Sequence, residues 1–273
     1  MLIIRGRMLT EMSDNPTSRA NAFLVDLDGV IYVQEKLIPG AIEAIHYIQQ
    51  KKIPHRFVTN TTSHSRKQLT QRLTQVGIEL KPEHLFTAPV AAAEYLRALG
   101  NARCYFFTNH NIVEEFGRLE REESKPTHVV IGDVGDGFTY ESMNRVFNMV
   151  HNGAEIIALQ RNRFWITTEG LKLDAGAFIA ALEYATGKEA SVFGKPSAAF
   201  FQQACASLGV RPSEVMMIGD DLKADIEGAS AAGLQTLFVR TGKDKNSSLK
   251  ELREQPDIVM ASIADLPEYL KQL

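Results

Sequence analysis

Short apolar runs alternate with longer segments of helical periodicity along most of the chain. The strand-like runs, rich in aliphatic and aromatic residues, occupy residues 23–25, 56–58, 104–107, 127–131, 155–159, 191–193, 215–218, 235–239 and 258–260. The segments with apolar residues every three or four positions occupy 41–52, 65–76, 90–99, 112–121, 140–151, 176–186, 198–208, 226–232 and 265–273. Strands that alternate with helices predict an α/β fold with a Rossmann-like, doubly wound parallel sheet.

Length and composition narrow the class of protein. The 273 residues suffice for one large or two modest domains, and 44% hydrophobic with 23% charged residues is usual for a soluble globular protein. A net charge of −3 without a long basic run gives no support for nucleic-acid binding. No stretch approaches the apolar length of a membrane span. Cys104 and Cys205 lie far apart without a C-x-x-C pair, which favours buried thiols in a reducing cytoplasm.

Two carboxylates, Asp26 and Asp28, directly follow the first apolar run. In a strand, positions i and i+2 face the same side, so both can face one site at the strand's carboxyl end. Carboxylates this close repel each other unless a cation or a shared proton relieves them, and Mg²⁺ prefers oxygen ligands. The alternative is a surface turn, where Asp and Gly are common.

Three further strand ends carry polar side chains. Thr59 and Asn60 end the second run and can bind an anion, although capping of the following helix is the alternative. Lys195 follows the run at 191–193; read alone, it is an ordinary surface lysine. The run at 215–218 leads into a third group, which consists of Asp220, Asp221 and Asp225. Because the carboxyl ends of parallel strands share one edge of a sheet, the four groups predict a metal site, an anion site and a nucleophile together.

These motifs resemble those of the haloacid dehalogenase-like superfamily of phosphohydrolases. The motifs read Asp26-Leu27-Asp28-Gly29-Val30, Val58-Thr59-Asn60, Lys195-Pro196, and Gly219-Asp220-Asp221 with Asp225. The resemblance runs from about residue 23 to the carboxyl terminus. The long insert between the second and third motifs resembles subclass IIA, which includes nitrophenylphosphatase-like, pyridoxal-phosphate and phosphoglycolate phosphatases. Several later segments look especially like the branch acting on phospholysine, phosphohistidine and pyrophosphate.

The resemblance implies a role for each motif residue. Asp26 would be the nucleophile that forms an aspartyl-phosphate, and Asp28 the acid and base. Thr59 and the Asn60 backbone would hold the phosphoryl oxygens, while Lys195 would neutralise charge on Asp26 and on the transferring group.

The cofactor implied is Mg²⁺. Its ligands would be the Asp26 and Asp220 carboxylates and the Asp28 backbone carbonyl. Asp225 would orient Lys195 or a metal-bound water. For Asp221 a supporting role and simple exposure both stay open.

The predicted domain scheme has four parts: an N-terminal tail at 1–21, a first core part at 22–89, an inserted α/β cap at 90–188 and a second core part at 189–273. A cap that closes would exclude water and carry specificity contacts. Candidate contacts lie in the predicted loops 133–137, 160–163 and 173–176; Arg161 or Arg163 could pair with an anionic substrate, and Asp174 could simply cap a helix. The resemblance also suggests a homodimer formed through the cap.

The expected function is a Mg²⁺-dependent phosphatase for a small phosphorylated compound, with pyrophosphate or a phosphoramidate suggested by the resemblance alone. Sugar phosphates and pyridoxal phosphate stay open as substrates. Two other classes also stay open: a protein that binds or senses a phosphorylated metabolite with little turnover, and a phosphotransferase or mutase. A phosphorylated receiver domain uses a similar residue set but is far shorter and has no large insert.

Overall fold

The computed structural model describes residues 3–4, 20–34, 36–167, 170–249, 252 and 254–272. The strands in these ranges are β1 Ile3–Ile4, β2 Ala22–Asp26, β3 Tyr32–Val33, β4 Lys36–Leu37, β5 His55–Thr59, β6 Leu85–Thr87, β7 Arg103–Phe107, β8 Glu120–Arg121, β9 His128–Ile131, β10 Glu155–Ala158, β11 Phe164–Thr167, β12 Gly170–Leu173, β13 Ser191–Val192, β14 Val215–Gly219, β15 Gln235–Val239 and β16 Ile258–Met260. The α-helices are α1 Ala41–Gln50, α2 Arg66–Gln75, α3 Ala88–Leu99, α4 Tyr140–His151, α5 Ala175–Thr186, α6 Ala198–Leu208, α7 Gly228–Ala231 and α8 Leu266–Lys271.

The chain folds into two compact units, and the first is built around one sheet. This unit comprises Met1–Thr59, Thr70–Phe86 and Lys195–Leu273. Over the described residues, the strand order of the sheet is β1-β16-β15-β14-β2-β5-β6. The strands from β16 to β5 are parallel, whereas β1 pairs antiparallel with β16. All five residues of β2 and of β14 are buried, as expected for central strands covered on both faces.

The strand register brings the polar residues of this unit to one edge of its sheet. Val25 pairs with Ile218, and Asp26 pairs with Val58. Asp26 therefore lies within one residue of the level of Thr59 and of Asp220. This is the carboxyl edge of the parallel strands, where open α/β sheets bind their ligands.

The second unit comprises Asn60–Leu69 and Thr87–Gly194. Its sheet has the order β13-β10-β9-β7-β8 over the described residues, with all four pairs parallel, and β11 and β12 form a separate antiparallel hairpin. A buried cluster that includes Val129, Ile156 and Leu182 joins strands β9 and β10 to helix α5. Phe138 stacks on Phe178 with a ring-centroid distance of 4.0 Å.

Several elements differ from the sequence predictions. The helix predicted at 112–121 is wrong: a 3₁₀ turn at His110–Phe116 ends at Gly117, and β8 follows. Strand β6 was missed, because its three residues have no periodicity of their own. Ser191–Val192 was expected to form the first strand of the second core part, but it forms β13, which pairs with β10 in the second unit. That unit begins before residue 90, extends past residue 188 and includes residues 60–69.

No helix within the described ranges is both long and apolar enough to cross a membrane.

Candidate active site

Lys195 forms ion pairs with two carboxylates at the carboxyl edge of the first unit's sheet. Its Nζ lies 2.8 Å from Asp26 Oδ1 and 2.6 Å from Asp225 Oδ1. All three side chains are buried, with at most 8% of any side chain exposed. A buried charge is tolerated only when it is paired and hydrogen-bonded, so the two ion pairs keep the lysine in place.

Close packing of the following proline fixes the position of Lys195. Pro196 lies against Gly228 at the start of α7, and a Cβ on this glycine would come within 2.8 Å of Pro196 Cα and 2.9 Å of Phe201 Cε2. A larger residue at position 228 would therefore push the Lys195-Pro196 segment away. The glycine accordingly brings a helix and a loop into direct backbone contact beside the ion pairs.

A helical turn after β14 holds Asp225. The turn at Leu222–Glu227 is of the π type, with the Ile226 N–H donating to the Asp221 carbonyl at 3.3 Å. Asp225 Oδ2 accepts the backbone N–H groups of Asp220 and Asp221, both at 3.2 Å. Asp225 thus contacts Lys195 with one oxygen and the backbone beside Asp220 with the other. Turns of this kind are frequent at functional sites.

Asp221 caps the same turn. Its Oδ1 accepts the N–H groups of Lys223 and Ala224 at 3.0 and 2.8 Å, and its Oδ2 pairs with Lys243 Nζ at 2.6 Å. Burial alone would raise the pKa of Asp221, but the charge of Lys243 and the backbone hydrogen bonds outweigh it and lower the pKa. Of the two interpretations left open for Asp221, the partly buried capping position favours a supporting role over simple exposure.

Three glycines form a cradle around the carboxylates. A Cβ at Gly29, where φ is +81°, would lie 2.2 Å from Asp220 Cγ, and one at Gly242 would lie 2.0 Å from Asp220 Oδ2. A Cβ at Gly219 would lie 2.3 Å from Asp225 Cβ. The backbone therefore approaches both carboxylates more closely than any other residue type would allow.

Burial raises the pKa of the carboxyl groups at the site. It raises the pKa of Asp26 to about 7; Lys195 opposes this rise, and the charges of Asp220 and Asp28 add to it. Burial likewise raises the pKa of Asp220 and of Asp225, each under the influence of neighbouring carboxylates. For Lys195, burial alone would lower the pKa, but Asp225 and Asp26 outweigh it, so the pKa is raised and the lysine is protonated.

The carboxylates of Asp26, Asp220 and Asp225 fit a hard divalent cation. Each offers one oxygen, and these oxygens lie within 4.8 Å of one another. Mg²⁺ prefers oxygen ligands, and a dication would favour the ionised carboxylates, which burial and the neighbouring negative charges disfavour. Asp225, which the sequence placed in a supporting role, belongs to this group. The Asp28 side chain is exposed, and the expected metal ligand from this residue is its backbone carbonyl.

Thr59 and Asn60 are adjacent in the chain but fall in different units. Thr59 is buried at the last position of β5 in the first unit. Asn60 belongs to the second unit, where a Cβ at Gly194 would lie 2.7 Å from Asn60 Oδ1. The anion-binding role expected of both stays a prediction.

Sequence reasoning missed the roles of Thr241, Gly242, Lys243 and Asp244, which follow β15. Lys243 donates its backbone N–H to Asp220 Oδ2 at 2.5 Å, and Thr241 Oγ1 donates to the Gly29 carbonyl. The signal that would have found them is their position at another strand end on the same edge of the sheet.

Several residues of the candidate contact loops make hydrogen bonds or ion pairs within the second unit. Gln160 is buried and donates to Asp174 Oδ1, which also caps the first N–H of α5. Burial raises the pKa of Asp174 despite these hydrogen bonds. Arg161 pairs with Glu183, so its charge is used within the unit. Asp133 Oδ1 accepts the Gly135 N–H at 2.8 Å. The hydrogen bond from the Ala175 N–H to Asp174 confirms that Asp174 caps the helix α5.

Comparison with known proteins agrees with this geometry. A haloacid dehalogenase-like hydrolase family model matches residues 23–120, and a second model of the same kind matches residues 192–266. The mouse haloacid dehalogenase-like hydrolase domain-containing protein 2 is 34% identical over 92% of this chain and 96% of its own. The phospholysine phosphohistidine inorganic pyrophosphate phosphatase of Xenopus laevis is 35% identical over 91% of this chain and 94% of its own.

A solved structure extends the likeness to the fold. The thermostable NPPase double mutant from Geobacillus stearothermophilus superposes with a TM-score of 0.83 at 31% identity, covering 90% of this chain and 98% of that one. The chain therefore belongs to the haloacid dehalogenase-like hydrolases. The predicted α/β fold and the resemblance stated from the motifs are both confirmed.

Proposed function

We propose that this protein is a Mg²⁺-dependent phosphatase that transfers the phosphoryl group of a small substrate to Asp26 and then to water. The observation that carries the proposal is the buried lysine between two carboxylates beside a third, with all three carboxylates at one edge of the sheet. Phosphoryl transfer requires placement and charge stabilisation more than covalent chemistry, and this arrangement supplies both.

In the first half-reaction an Asp26 carboxylate oxygen attacks phosphorus as the bond from phosphorus to the leaving group breaks. Lys195 is 2.8 Å from that carboxylate, so it favours the ionised form of Asp26 and offsets the charge of the approaching phosphoryl oxygens. Asp225 holds the Lys195 ammonium from the other side at 2.6 Å. When bound, Mg²⁺ would supply further positive charge at Asp26, Asp220 and the Asp28 carbonyl.

Asp28 completes the proton transfers. It donates a proton to the leaving atom in the first half-reaction and accepts one from the attacking water in the second, in which the bond between Asp26 and phosphorus breaks. The Asp28 side chain is exposed, which suits exchange of this proton with substrate and water. Thr59, with the backbone of Asn60, would hold the phosphoryl oxygens.

The substrate class is a small phosphorylated compound. Among the relatives, one is named for phospholysine, phosphohistidine and pyrophosphate, which supports a pyrophosphate or phosphoramidate substrate here. The intact nucleophile disfavours one other open class, because a protein that only senses a metabolite would need neither Asp26 nor its paired lysine. A phosphotransferase or mutase would form the same aspartyl-phosphate, and access of water to that intermediate distinguishes it from a phosphatase.

The test is phosphate release from p-nitrophenyl phosphate, pyrophosphate, phospholysine and sugar phosphates, with Mg²⁺ and with EDTA. Wild type should turn over at least one substrate in Mg²⁺ and none in EDTA, and Asp26→Asn should lose at least about 10³-fold in kcat, because nothing replaces the nucleophile. Glu43→Gln, an exposed carboxylate in α1, is the matched control and should keep full activity. Turnover that survives Asp26→Asn would refute the assigned nucleophile.

A further inference from the structure

The loop at residues 241–244 connects two parts of the candidate site that are far apart in sequence. It follows β15, and it makes hydrogen bonds both to the turn after β2 and to the turn after β14. We propose that this loop, here called the clamp loop, positions the Asp220 carboxylate and the Asp28 carbonyl for Mg²⁺. The Thr241 hydroxyl anchors the loop. The inference deepens the proposed function and rests on it.

The first contact of the clamp loop is with the turn after β2. The Thr241 hydroxyl donates to the Gly29 carbonyl, which belongs to the residue directly after Asp28. Gly29 also donates its own N–H to the Tyr32 carbonyl at 2.7 Å. The hydrogen bonds at its N–H and at its carbonyl hold Gly29 in a left-handed conformation with φ +81°. Because the Asp28 carbonyl shares a peptide plane with the Gly29 N–H, it is oriented at the same time.

The second set of contacts is with the turn after β14. The Lys243 N–H donates to Asp220 Oδ2 at 2.5 Å, and this bond fixes the orientation of a buried carboxylate. Asp244 Oδ2 accepts the Leu222 N–H at 2.8 Å, and the Asp244 N–H donates to the Asp220 carbonyl at 3.3 Å. The clamp loop thus contacts Asp220 at both its side chain and its backbone.

Gly242 allows these two sets of contacts to form at once. A Cβ at this position would lie 2.0 Å from Asp220 Oδ2 and 2.6 Å from Gly29 Cα. The Gly242 backbone therefore fills the space between the Asp28-Gly29 turn and Asp220 and sets their separation. Groups that orient metal ligands without touching the metal commonly change metal affinity by about 10- to 100-fold when they are removed.

Thr241→Val provides the sharpest test, because it removes the hydroxyl and keeps the shape of the side chain without changing the net charge. The dissociation constant of Mg²⁺ is measured by calorimetric titration of the full-length protein. We expect Thr241→Val to weaken Mg²⁺ binding by about 10-fold, with kcat recovering at saturating Mg²⁺. Thr241→Ser, which retains the hydroxyl, should restore wild-type affinity. Thr241→Ala removes the same hydroxyl without adding a group and serves as the second variant if the valine prevents folding.

The control is Thr236→Val in β15. The Thr236 hydroxyl donates to Asp257 Oδ2 at 3.1 Å, and the Asp257 N–H donates to that hydroxyl at the same distance, so its loss should lower Tm in EDTA. Because neither partner belongs to the site, its Mg²⁺ affinity should match wild type. Equal Mg²⁺ affinity in Thr241→Val and wild type would overturn the role of the clamp loop and leave the proposed function intact. A wild-type protein that binds no Mg²⁺ would refute both the role of the clamp loop and the proposed function.

Discussion

Lys195 is the residue on which the charge balance of the site depends most directly. It is 4% exposed and is the cation shared by Asp26 and Asp225. Lys195→Met keeps the length of the side chain and leaves both carboxylates without this partner. Removing one member of a buried ion pair typically costs about 3–5 kcal/mol, so the free energy of unfolding at pH 8 should fall by about that amount in urea titrations with EDTA present.

The same substitution should make stability strongly dependent on pH. The pKa of Asp26 is already raised to about 7 with the lysine present, and it will rise further without it. A carboxylate with a raised folded-state pKa binds protons more tightly when folded, so its contribution to stability is greatest at low pH and declines as pH rises from about 4 toward the folded pKa. The loss in Lys195→Met should therefore be smaller at pH 5 than at pH 8.

Substitution of a matched lysine in the other unit distinguishes the loss of the ion pairs from a general loss of stability. Lys188 Nζ donates to the Val150 and Ala154 carbonyls at 2.8 and 3.2 Å and is partly buried. Because these acceptors do not titrate, the loss in Lys188→Met should be the same at pH 5 and pH 8. A pH-independent loss in Lys195→Met as well would contradict the charge argument.

At the scale of elements, the contact between α7 and the Lys195-Pro196 segment makes a specific prediction. Gly228 has an ordinary helical φ of −63°, where alanine would normally be preferred by about 1 kcal/mol. Here the added Cβ would meet Pro196 Cα at 2.8 Å, a backbone atom that no rotamer change can move. Gly228→Ala should therefore lower the free energy of unfolding by about 1–3 kcal/mol and reduce kcat, because Lys195 moves with Pro196.

Gly209, at the end of α6, supplies the contrasting control. Its φ of +71° strains any other residue, but a Cβ there meets no heavy atom within 4 Å. Gly209→Ala should lose about 1 kcal/mol of stability through backbone strain and keep wild-type kcat. If both variants lose stability equally and keep kcat, the packing of Gly228 does not position the lysine.

The elements also show where sequence reasoning succeeds and where it stops. The central strands could be predicted because β2 and β14 are apolar runs buried on both faces, and their polar ends fall at a common edge once the sheet is parallel. Strand β6 and the destination of β13 depend on partners distant in the chain, which local periodicity does not reveal. The clamp loop was missed for a related reason: its backbone N–H groups and glycine, rather than any distinctive side chain, make its contacts with Asp220.

At the scale of the whole molecule, each of the two units is assembled from separate stretches of chain. The first unit uses three stretches and the second uses two. The sequence suggested the insertion because the four motifs lie on both sides of it. It did not locate the borders, because residues 60–69 and β13 are short segments whose membership is decided by tertiary contacts.

The outer edge of the first unit's sheet provides the last prediction. β1 pairs with β16 through Ile3 and Ile4, so β16 has strand neighbours on both sides. Ile3→Pro/Ile4→Pro removes the N–H donors of β1. Loss of one or two backbone hydrogen bonds should lower the free energy of unfolding by about 1–2 kcal/mol and expose an edge that promotes self-association, seen by light scattering. The kcat should not change, because none of the candidate catalytic groups lies on β1 or β16. Ile3→Val/Ile4→Val retains the donors and should match wild type; equal stability of all three proteins would mean that this pairing does not contribute in solution.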